Sequence, residues 1–267
     1  MTYQKVQTQF GPNAAAYGSS KVHAQGPGLA RLVELTRPQP DWRVLDVATG
    51  AGHTAFAFAP FVREVTAVDI TPSMLTTSRD LAGQRGLSNI HLIQAPAEQL
   101  PFATNSFDLV VCRLAAHHFG ENGRFMSESA RVLKPGGQLA LLDNIVPGSR
   151  RRGKKAEQQR QAGAYVNAFE TLRDPSHVRC LSLDEWVDAF IAAGFTISHQ
   201  ETNTMPLDFT DWTARMKVSA PNRQRLRAML LQAPEPVLTF LTPALSGDKI
   251  EFHLHKAIII GNLANNQ

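Results

Sequence analysis

The sequence predicts an α/β fold organised around a parallel sheet, and three observations support this prediction. Short runs rich in β-branched residues alternate with helical segments between about Trp42 and Asp143, which is the order expected of successive β-α-β units. Residues 109–112 and 139–142 are apolar without interruption, as strands of a sheet covered on both faces must be. The 267 residues are 43% hydrophobic and 19% charged, a composition typical of a globular chain that can bury a continuous core.

Strands and helices follow from these patterns in chain order. Five strands are predicted in the core, at residues 43–47, 64–69, 90–95, 108–112 and 138–143. Helices begin between them near Gly52, Pro72 and Glu121, and the last ends at a breaker, residues 134–137. Two helices are predicted upstream, within residues 14–36, and helices at 156–172, 183–193 and 209–241 alternate downstream with strands at 195–199 and 250–260. The predicted divisions are an N-terminal helical lid (1–37), the core (38–146), a helical cap with one strand returning to the sheet (147–248) and the final strand of the core (249–267).

Composition excludes several classes of protein. No run approaches the roughly 18 to 20 apolar residues of a membrane span, and the polar first twelve residues lack a secretion signal, so a cytoplasmic location is expected. Cys112 and Cys180 are too few for a disulfide framework or a cysteine-based zinc site. The net charge of +4 depends on five basic residues between Arg150 and Lys155, without which it would be −1. No aromatic residue is interleaved with them, so we interpret the cluster as a solvated linker or a contact for an anionic partner, and not as a nucleic-acid site.

The strongest motif joins a strand to a helix through a glycine-rich loop, residues 46–52. Glycines are needed where the chain turns sharply and a ligand must approach the backbone closely. Residues 50–55 formally match the dinucleotide-binding pattern G-x-G-x-x-G/A, so a nicotinamide-dependent dehydrogenase is one interpretation. Asp46 argues against it, because a carboxylate four residues before the first glycine repels a pyrophosphate and attracts a ligand that carries an ammonium and a sulfonium group.

A second acid, Asp69, stands at the end of the second predicted strand. A carboxylate there can accept hydrogen bonds from both hydroxyls of an unphosphorylated ribose, and Ile70 would lie beside the adenine as an apolar wall. The structural alternative is that Asp69 caps the next helix, but Thr71 is the better cap and Pro72 the better first helical residue.

Together with further segments, these residues resemble the class I S-adenosylmethionine-dependent methyltransferases, and among them the small-molecule branch of the ubiquinone/menaquinone-biosynthesis type. The matching segments occur in the family's order at residues 45–52, 68–75, 97–102, 106–108, 117–119 and 131–137. Residues 10–14 and 173–179 also resemble segments of a bacterial subgroup of these enzymes, so the likeness extends along most of the chain.

The resemblance implies a seven-stranded Rossmann-like sheet of order 3-2-1-4-5-7-6 with the last strand antiparallel, and a helical cap that closes the substrate pocket. It also implies S-adenosylmethionine as methyl donor, S-adenosylhomocysteine as product and no metal. Tyr17 and His23 are expected to close over the cofactor from the lid, although simple packing is the alternative for Tyr17. The other residues expected to bind the cofactor are Asp46, Ala48, Gly50, Gly52, Thr54, Asp69, Ile70, Met74, Pro96, Ala97, Glu98 and Arg113.

Two positions depart from the family's pattern. Ala48 stands where a third glycine is common, an exchange expected to be harmless. Pro96 stands where many members place an Asp that receives the adenine amino group. Adenine recognition is therefore expected to depend on the Ala97 backbone N–H, on Glu98 or Gln99, or on stacking.

Methyl transfer from a sulfonium is an in-line displacement, so the protein contributes mainly by aligning the reacting atoms and excluding water. A base is needed only where the nucleophile must lose a proton. His117 and His118 follow the fourth strand and are the candidate bases, with structural packing as the alternative for each. Asp143 is expected to form a second wall of the substrate pocket, or to act as a local cap. Arg173 and His177, on the cap, are expected to contact the substrate, or else to pair only with nearby backbone or acidic groups.

The sequence thus predicts an enzyme that methylates a small molecule at oxygen, nitrogen or carbon. Two alternatives remain: a protein of the same fold that binds S-adenosylmethionine without transferring its methyl group, such as a cyclase, and a nicotinamide-dependent dehydrogenase. No nucleic-acid partner and no membrane span are expected. The identity of the methyl acceptor and the choice between a monomer and a homodimer are left open by the sequence.

Overall fold

One mixed sheet organises the protein. The computed structural model describes residues 2–18 and 26–265. The first five strands are β1 (Arg43–Val47), β2 (Glu64–Asp69), β3 (Ile90–Gln94), β4 (Phe107–Arg113) and β5 (Leu133–Ile145). Later in the chain come β6 (Phe195–Asp208), β7 (Ala244–Ser246) and β8 (Lys249–Leu263). The strand order is 3-2-1-4-5-8-6, with β7 paired to β8 outside this path. Apart from the short β7, which the sequence did not predict, this is the predicted order, and the α/β fold class is confirmed.

The register of the parallel strands determines which residues meet at the carboxyl edge of the sheet. The pairs β3-β2, β2-β1, β1-β4 and β4-β5 are all parallel. Val47 of β1 lies opposite Val68 of β2 and Cys112 of β4, and Cys112 lies opposite Leu141 of β5. The residues that directly follow these positions therefore emerge at one edge of the sheet, which is where open α/β sheets bind their ligands.

Contacts divide the chain into two compact units, of which the first comprises Met1–Asp143, Ala189–Glu201 and Ile258–Gln267. Its helices are α1 (Thr2–Phe10), α2 (Ala14–Gly18), α3 (Pro27–Thr36), α4 (His53–Phe58), α5 (Pro72–Gln84) and α6 (Asn122–Val132), with short 3₁₀ helices at Gly11–Asn13, Ala59–Phe61 and Ala116–His118. Val44, Val65 and Leu109 pack in its core with Ala55 and Phe58 of α4, and all five are almost fully buried. Burial of these apolar side chains holds α4 on the sheet.

The second unit comprises Asn144–Asp188 and Thr202–Ala257. Its helices are α7 (Lys154–Arg173), α8 (Leu183–Ala192, which continues into the first unit), α9 (Phe209–Arg215), α10 (Ala220–Leu231) and α11 (Glu235–Leu241). The aromatic centre of its core is Phe169 stacked on Trp212, with ring centroids 4.9 Å apart, and Phe252 packed edge-on against Trp212. No helix among the described residues is long and apolar enough to cross a membrane.

Three elements differ from the prediction. Helix α1 was not predicted, although Tyr3, Val6 and Phe10 recur at helical spacing. Strand β5 begins at Leu133 and includes the predicted breaker at residues 134–137, because the ladder between β4 and β5 shifts register and accommodates the Pro-Gly-Gly segment in a bulge. Strand β6 extends to Asp208, nine residues beyond the predicted end at 199, because it is an end strand of the sheet whose polar side chains hide the strand pattern.

Candidate functional site

The glycine-rich loop follows β1 in a backbone conformation that L-residues adopt at a cost. Ala48, Gly50 and Gly52 have φ angles of +57°, +55° and +91°. Two hydrogen bonds fix the loop: the Thr49 backbone N–H donates to the Val68 carbonyl oxygen over 2.9 Å, and the Gly52 N–H donates to the Thr49 carbonyl oxygen over 3.0 Å. Ala48 therefore holds the left-handed conformation without the freedom of glycine, and the exchange that looked harmless in the sequence carries some backbone strain.

The two glycines of this loop serve different purposes. A side-chain Cβ at Gly52 would overlap Ser78 Oγ and would lie 2.5 Å from Cζ of Phe56, so glycine is needed there for packing against α4 and α5. A Cβ at Gly50 would meet no atom within 4 Å. The open space at Gly50 lies at the carboxyl edge of the sheet, where a ligand can approach the backbone.

Asp46 supports the loop from beneath. Its Oδ2 accepts hydrogen bonds from Thr49 Oγ1 over 2.5 Å and from the Ala55 backbone N–H over 3.0 Å, and the residue is 1% exposed. Burial raises the pKa of this carboxyl to about 7, against the opposing effects of the Thr49 hydrogen bond and the nearby Arg113 charge. Arg113, at the end of β4, donates through Nε to Thr54 Oγ1 over 2.9 Å, and burial lowers its pKa. An acidic and a basic group thus face each other below the loop.

Asp69 connects the loop to the end of β2. Its Oδ2 accepts a hydrogen bond from the Gly50 backbone N–H, and its Oδ1 accepts one from the Thr71 backbone N–H, both over 2.8 Å. Burial raises its pKa, while these backbone hydrogen bonds act in the opposite direction. Thr71 occupies the N-cap position of α5, but its side chain makes no capping hydrogen bond. Since each carboxylate oxygen can accept two hydrogen bonds, Asp69 supports the loop and still retains acceptor capacity for a ligand.

The predicted adenine side of the site is bordered by residues of mixed exposure. Met74 and Ala97 are buried, whereas Ile70 and Pro96 are partly exposed. Glu98 accepts hydrogen bonds at Oε1 from the Gly120 backbone N–H over 3.0 Å and at Oε2 from the Tyr3 hydroxyl over 3.1 Å. Burial, together with the Glu98 charge, raises the pKa of Tyr3 to about 12. Glu98 therefore anchors two backbone segments, in addition to any contact with a base.

The N-terminal segment attaches to this same edge through residues that the sequence interpretation missed. Gln7 Nε2 donates to the Ile70 carbonyl oxygen over 2.8 Å, and Ser73 Oγ donates to the Gly11 carbonyl oxygen over 3.1 Å. Phe10 packs edge-on against His118, at 5.0 Å between ring centroids. The helical spacing of apolar residues in α1 was the available signal for these contacts.

Of the two predicted lid residues, Tyr17 packs its ring against Phe10 at 5.5 Å between centroids. Its carbonyl oxygen lies 3.0 Å from His53 Nε2. His53 is 5% exposed, and burial lowers its pKa, so it supports the loop as a neutral ring. His23 lies outside the described residues.

His117 and Asp143 form a tightly connected pair at the ends of β4 and β5. His117 Nδ1 lies 2.6 Å from Asp143 Oδ1, and the His117 backbone N–H donates to Asp143 Oδ2 over 2.8 Å. The His117 and His118 rings are 4.2 Å apart. The Asp143 side chain is 1% exposed and that of His117 12%, so the carboxylate lies behind the imidazole.

The remaining two predicted substrate residues lie in the second unit and are engaged within it. Arg173 donates through Nε to the Trp212 carbonyl oxygen over 3.1 Å, with its guanidinium carbon 4.5 Å from the centroid of the Trp212 ring. It also pairs with Glu170 over 3.8 Å. His177 Nε2 lies 2.9 Å from Asn167 Oδ1. The contacts of Arg173 with a backbone carbonyl and an acid are the alternative that the sequence had left open, whereas His177 contacts an amide side chain. Contact of either residue with a substrate stays a prediction.

Known proteins share both the sequence and the fold. A family model described as a methyltransferase domain matches residues 45–141. The uncharacterized methyltransferase YcgJ of Bacillus subtilis is 36% identical over 256 residues, which are 95% of this chain and 97% of that protein. The chain belongs to the class I S-adenosylmethionine-dependent methyltransferases.

Two solved structures and one further relative are also named as methyltransferases or superpose with one. The crystal structure of YcgJ superposes with a TM-score of 0.82 and 32% identity, covering 89% of this chain and 98% of that one. A putative methyltransferase from Bacillus halodurans superposes with a TM-score of 0.83 and 32% identity, covering 90% and 100% of the two chains. The ubiquinone/menaquinone biosynthesis C-methyltransferase of Ectopseudomonas mendocina is 37% identical over 155 residues, or 55% of this chain and 60% of that protein.

The residues of this methyltransferase fit a cofactor with an amino-acid end and a ribose. The open space at Gly50 admits a ligand to the backbone, and Asp69 retains acceptor capacity beside it. Asp46 and Arg113 supply opposite charges near the loop, as a group with both an ammonium and a carboxylate requires.

Proposed function

We propose that this methyltransferase transfers a methyl group to a small-molecule acceptor by in-line displacement. The observation that carries the proposal is the shared sheet edge: Asp69 ends β2, and Gly50, with its open space, and His117 follow the carboxyl ends of β1 and β4. S-adenosylmethionine supplies a methyl group that the positive sulfur has already activated. The protein's own contribution is to hold the reactants in line and to keep water away.

The cofactor-binding residues divide into three groups in this proposal. Gly50, Gly52 and the strained Ala48 shape the backbone against which the ligand lies, and Asp46, Thr54 and Arg113 form the polar floor beneath it. Asp69 receives the ribose hydroxyls. The adenine is bordered by Ile70, Met74, Pro96, Ala97 and Glu98. We expect Tyr17 to cover the site, and the same expectation for His23 concerns a residue outside the described ranges.

A small acceptor is supported by the relatives. One of them is named as a C-methyltransferase of ubiquinone and menaquinone biosynthesis, and acceptors of that kind are small molecules. A histidine at the site, His117 or His118, suits an acceptor that must lose a proton. We also propose that Arg173 and His177 contribute to acceptor specificity. Their alanine variants should then change the KM for the acceptor and leave cofactor affinity unaltered.

Calorimetric titration with S-adenosylhomocysteine tests the cofactor assignment. Asp69→Ala should weaken binding at least tenfold, and Asp80→Ala, which removes an exposed carboxylate from α5, should bind as the wild type does. Because Asp69 also holds the Gly50 and Thr71 backbone N–H groups, thermal unfolding of both variants must be measured alongside. Equal affinity of Asp69→Ala and wild type would refute the ribose assignment.

The class of reaction is tested with S-adenosylmethionine that carries a radiolabelled methyl group. Transfer of label to an organic acceptor supports the proposal. Tight cofactor binding without release of label from any acceptor in a broad panel would favour a non-methylating protein of this fold. Binding of a nicotinamide dinucleotide in place of S-adenosylhomocysteine would favour a dehydrogenase.

A further inference from the structure

The pair formed by Asp143 and His117 is a polar arrangement that the family assignment leaves unexplained. Asp143 ends the apolar run of β5, whose residues 139–142 are buried, and its carboxylate is sealed from solvent. A carboxylate buried at this depth must be compensated by hydrogen bonds. His117 supplies two of them, one from its backbone and one from its ring.

From this geometry we infer that Asp143 positions His117 as the base of the reaction, with Nε2 as the atom that accepts the proton. It follows that the acceptor's nucleophile is a hydroxyl, or a carbon made acidic by a neighbouring hydroxyl or carbonyl group. This inference rests on the proposed methyl transfer and adds to it the class of acceptor and the choice between the two histidines.

The two contacts with Asp143 determine the tautomer of His117. An ionised carboxylate only accepts hydrogen bonds, so His117 Nδ1, at 2.6 Å, carries a proton that it donates to Oδ1. In the neutral ring the proton is then on Nδ1, and Nε2 keeps its lone pair. The second contact, from the His117 backbone N–H to Oδ2, fixes the carboxylate plane and with it the direction of the ring.

His118 is held differently. Its ring lies between those of His117, at 4.2 Å, and Phe10, at 5.0 Å. For His117, the two contacts with Asp143 specify which ring nitrogen carries the proton, and the inference is therefore made for this histidine.

The proposed transfer breaks a bond to hydrogen in the acceptor and the bond between the methyl group and sulfur. The O–H or C–H bond of the acceptor breaks, its proton passes to His117 Nε2, and the released electron pair forms the bond to the methyl carbon. The pair of the former methyl–sulfur bond stays on sulfur, which becomes neutral. His117 becomes an imidazolium, and the adjacent Asp143 carboxylate stabilises the new positive charge. An acceptor that has no proton to lose, such as a thioether or a tertiary amine, would make no use of this pair.

Asp143→Asn is a sharp test, because the backbone contact fixes how the new amide lies. The amide oxygen must accept from the His117 backbone N–H, so the amide NH₂ faces Nδ1 and donates to it. The ring proton then moves to Nε2, and the base is lost while size and shape are kept. Asp108→Asn is the matched control: Asp108 lies at the opposite end of β4, where its two oxygens accept from the Arg43 backbone N–H and from Lys134 Nζ.

The first measurement needs no acceptor. In a long-range proton–nitrogen NMR spectrum of the ¹⁵N-histidine protein, with His117→Gln to identify the signals, neutral His117 should be protonated at Nδ1 in the wild type and at Nε2 in Asp143→Asn. Asp108→Asn should match the wild type. A wild-type His117 protonated at Nε2 would overturn the inference, whether or not the variant folds.

The second measurement uses radiolabelled S-adenosylmethionine with phenols, hydroquinones and 1,3-dicarbonyl compounds, each beside a thioether or tertiary-amine analogue. We expect labelling of the proton-bearing acceptors, a kcat about 10² to 10⁴ times lower in Asp143→Asn, and an unchanged affinity for S-adenosylhomocysteine. Full turnover by this variant, or labelling confined to acceptors without a proton, would overturn the inference. If the proposed function is wrong, the wild-type protein will bind no S-adenosylhomocysteine. The NMR spectrum would still determine the tautomer of His117 in that case.

Discussion

Replacing Gly50 by alanine should weaken cofactor binding while leaving the fold nearly as stable as before. The space at Gly50 is open, with no atom within 4 Å of the position of a Cβ, and the backbone there has a φ of +55°. An added methyl group therefore meets no protein atom, and it occupies the space that we assign to the ligand. Gly52→Ala is the control, because its Cβ would collide with the Phe56 ring and Ser78.

The magnitudes follow from strain and crowding. For Gly50→Ala, the left-handed conformation costs about 1 to 2 kcal/mol, and the reduced freedom of the unfolded chain returns about 0.4 to 1 kcal/mol. The free energy of unfolding should thus fall by about 1 kcal/mol. Gly52→Ala adds the cost of overpacking, about 1 to 3 kcal/mol. If the methyl group of Gly50→Ala imposes a similar crowding cost on the ligand, affinity falls about 5- to 150-fold.

Guanidinium unfolding measures the first quantity, and calorimetric titration with S-adenosylhomocysteine measures the second. Gly52→Ala should lose more free energy of unfolding than Gly50→Ala. Gly50→Ala should lose affinity for S-adenosylhomocysteine without a loss of stability of the same size. Wild-type affinity in Gly50→Ala would show that the cofactor does not lie against this part of the loop. If Gly50→Ala and Gly52→Ala lost equal free energy of unfolding, the conclusion that a Cβ fits at position 50 and collides at position 52 would be refuted.

Three further changes test other parts of the site. Ala48→Gly should raise the free energy of unfolding by up to about 1 kcal/mol, because it relieves the strain at a φ of +57°; guanidinium unfolding that shows a loss would contradict this. Tyr3→Phe removes the hydrogen bond to Glu98 and should speed dissociation of S-adenosylhomocysteine about two- to fivefold in stopped-flow measurements, whereas Tyr165→Phe, which removes a hydrogen bond to the Met229 carbonyl in the second unit, should not. Since burial raises the pKa of Asp46 from its usual value of 3.8 to about 7, the folded state keeps a proton that the unfolded chain has released, and stability falls as pH rises between these values. Asp46→Asn should remove the part of this pH-dependent loss of stability that comes from Asp46, up to about 1.4 kcal/mol per pH unit. If the stabilities of the two proteins change in parallel from pH 4 to 7, Asp46 is not the group responsible.

The parts of the fold that the sequence predicted are those whose signals are local. The strands β1, β2 and β3 are short, and a glycine or a proline follows each of them within three residues, so the signals lie close to the features they predict. Helix α1 and the part of β6 beyond residue 199 escaped prediction because polar side chains dominate them, and their contacts are with partners far along the chain. Tyr3, for example, hydrogen-bonds to Glu98, 95 residues away.

The three acidic residues of the site show most clearly what a local sequence pattern can predict and what it cannot. Asp46 lies within β1, Asp69 ends β2 and Asp143 lies near the end of β5. The sequence predicted ligand contacts for all three, Asp46 because of its charge and the other two because of their places in the strands, with a capping role as the alternative for Asp69 and Asp143. In the structure, Asp46 directs Oδ2 to Thr49 and Ala55, so it braces the loop from below.

Asp69 and Asp143 divide their oxygens in opposite ways. Each Asp69 oxygen accepts a hydrogen bond from a backbone N–H. Asp69 is 8% exposed, against 1% for Asp46 and Asp143, so of the three it is the most accessible to a ligand. Asp143 directs both oxygens to a single histidine, which is 26 residues earlier in the chain. A strand pattern locates a carboxylate at the edge of a sheet, but the role of that carboxylate depends on which N–H groups reach its oxygens, and these come from loops whose paths the strand pattern does not encode. For this reason the sequence identified His117 as a candidate base and Asp143 as a neighbour of the site, and only the distances between them indicate that the two act together.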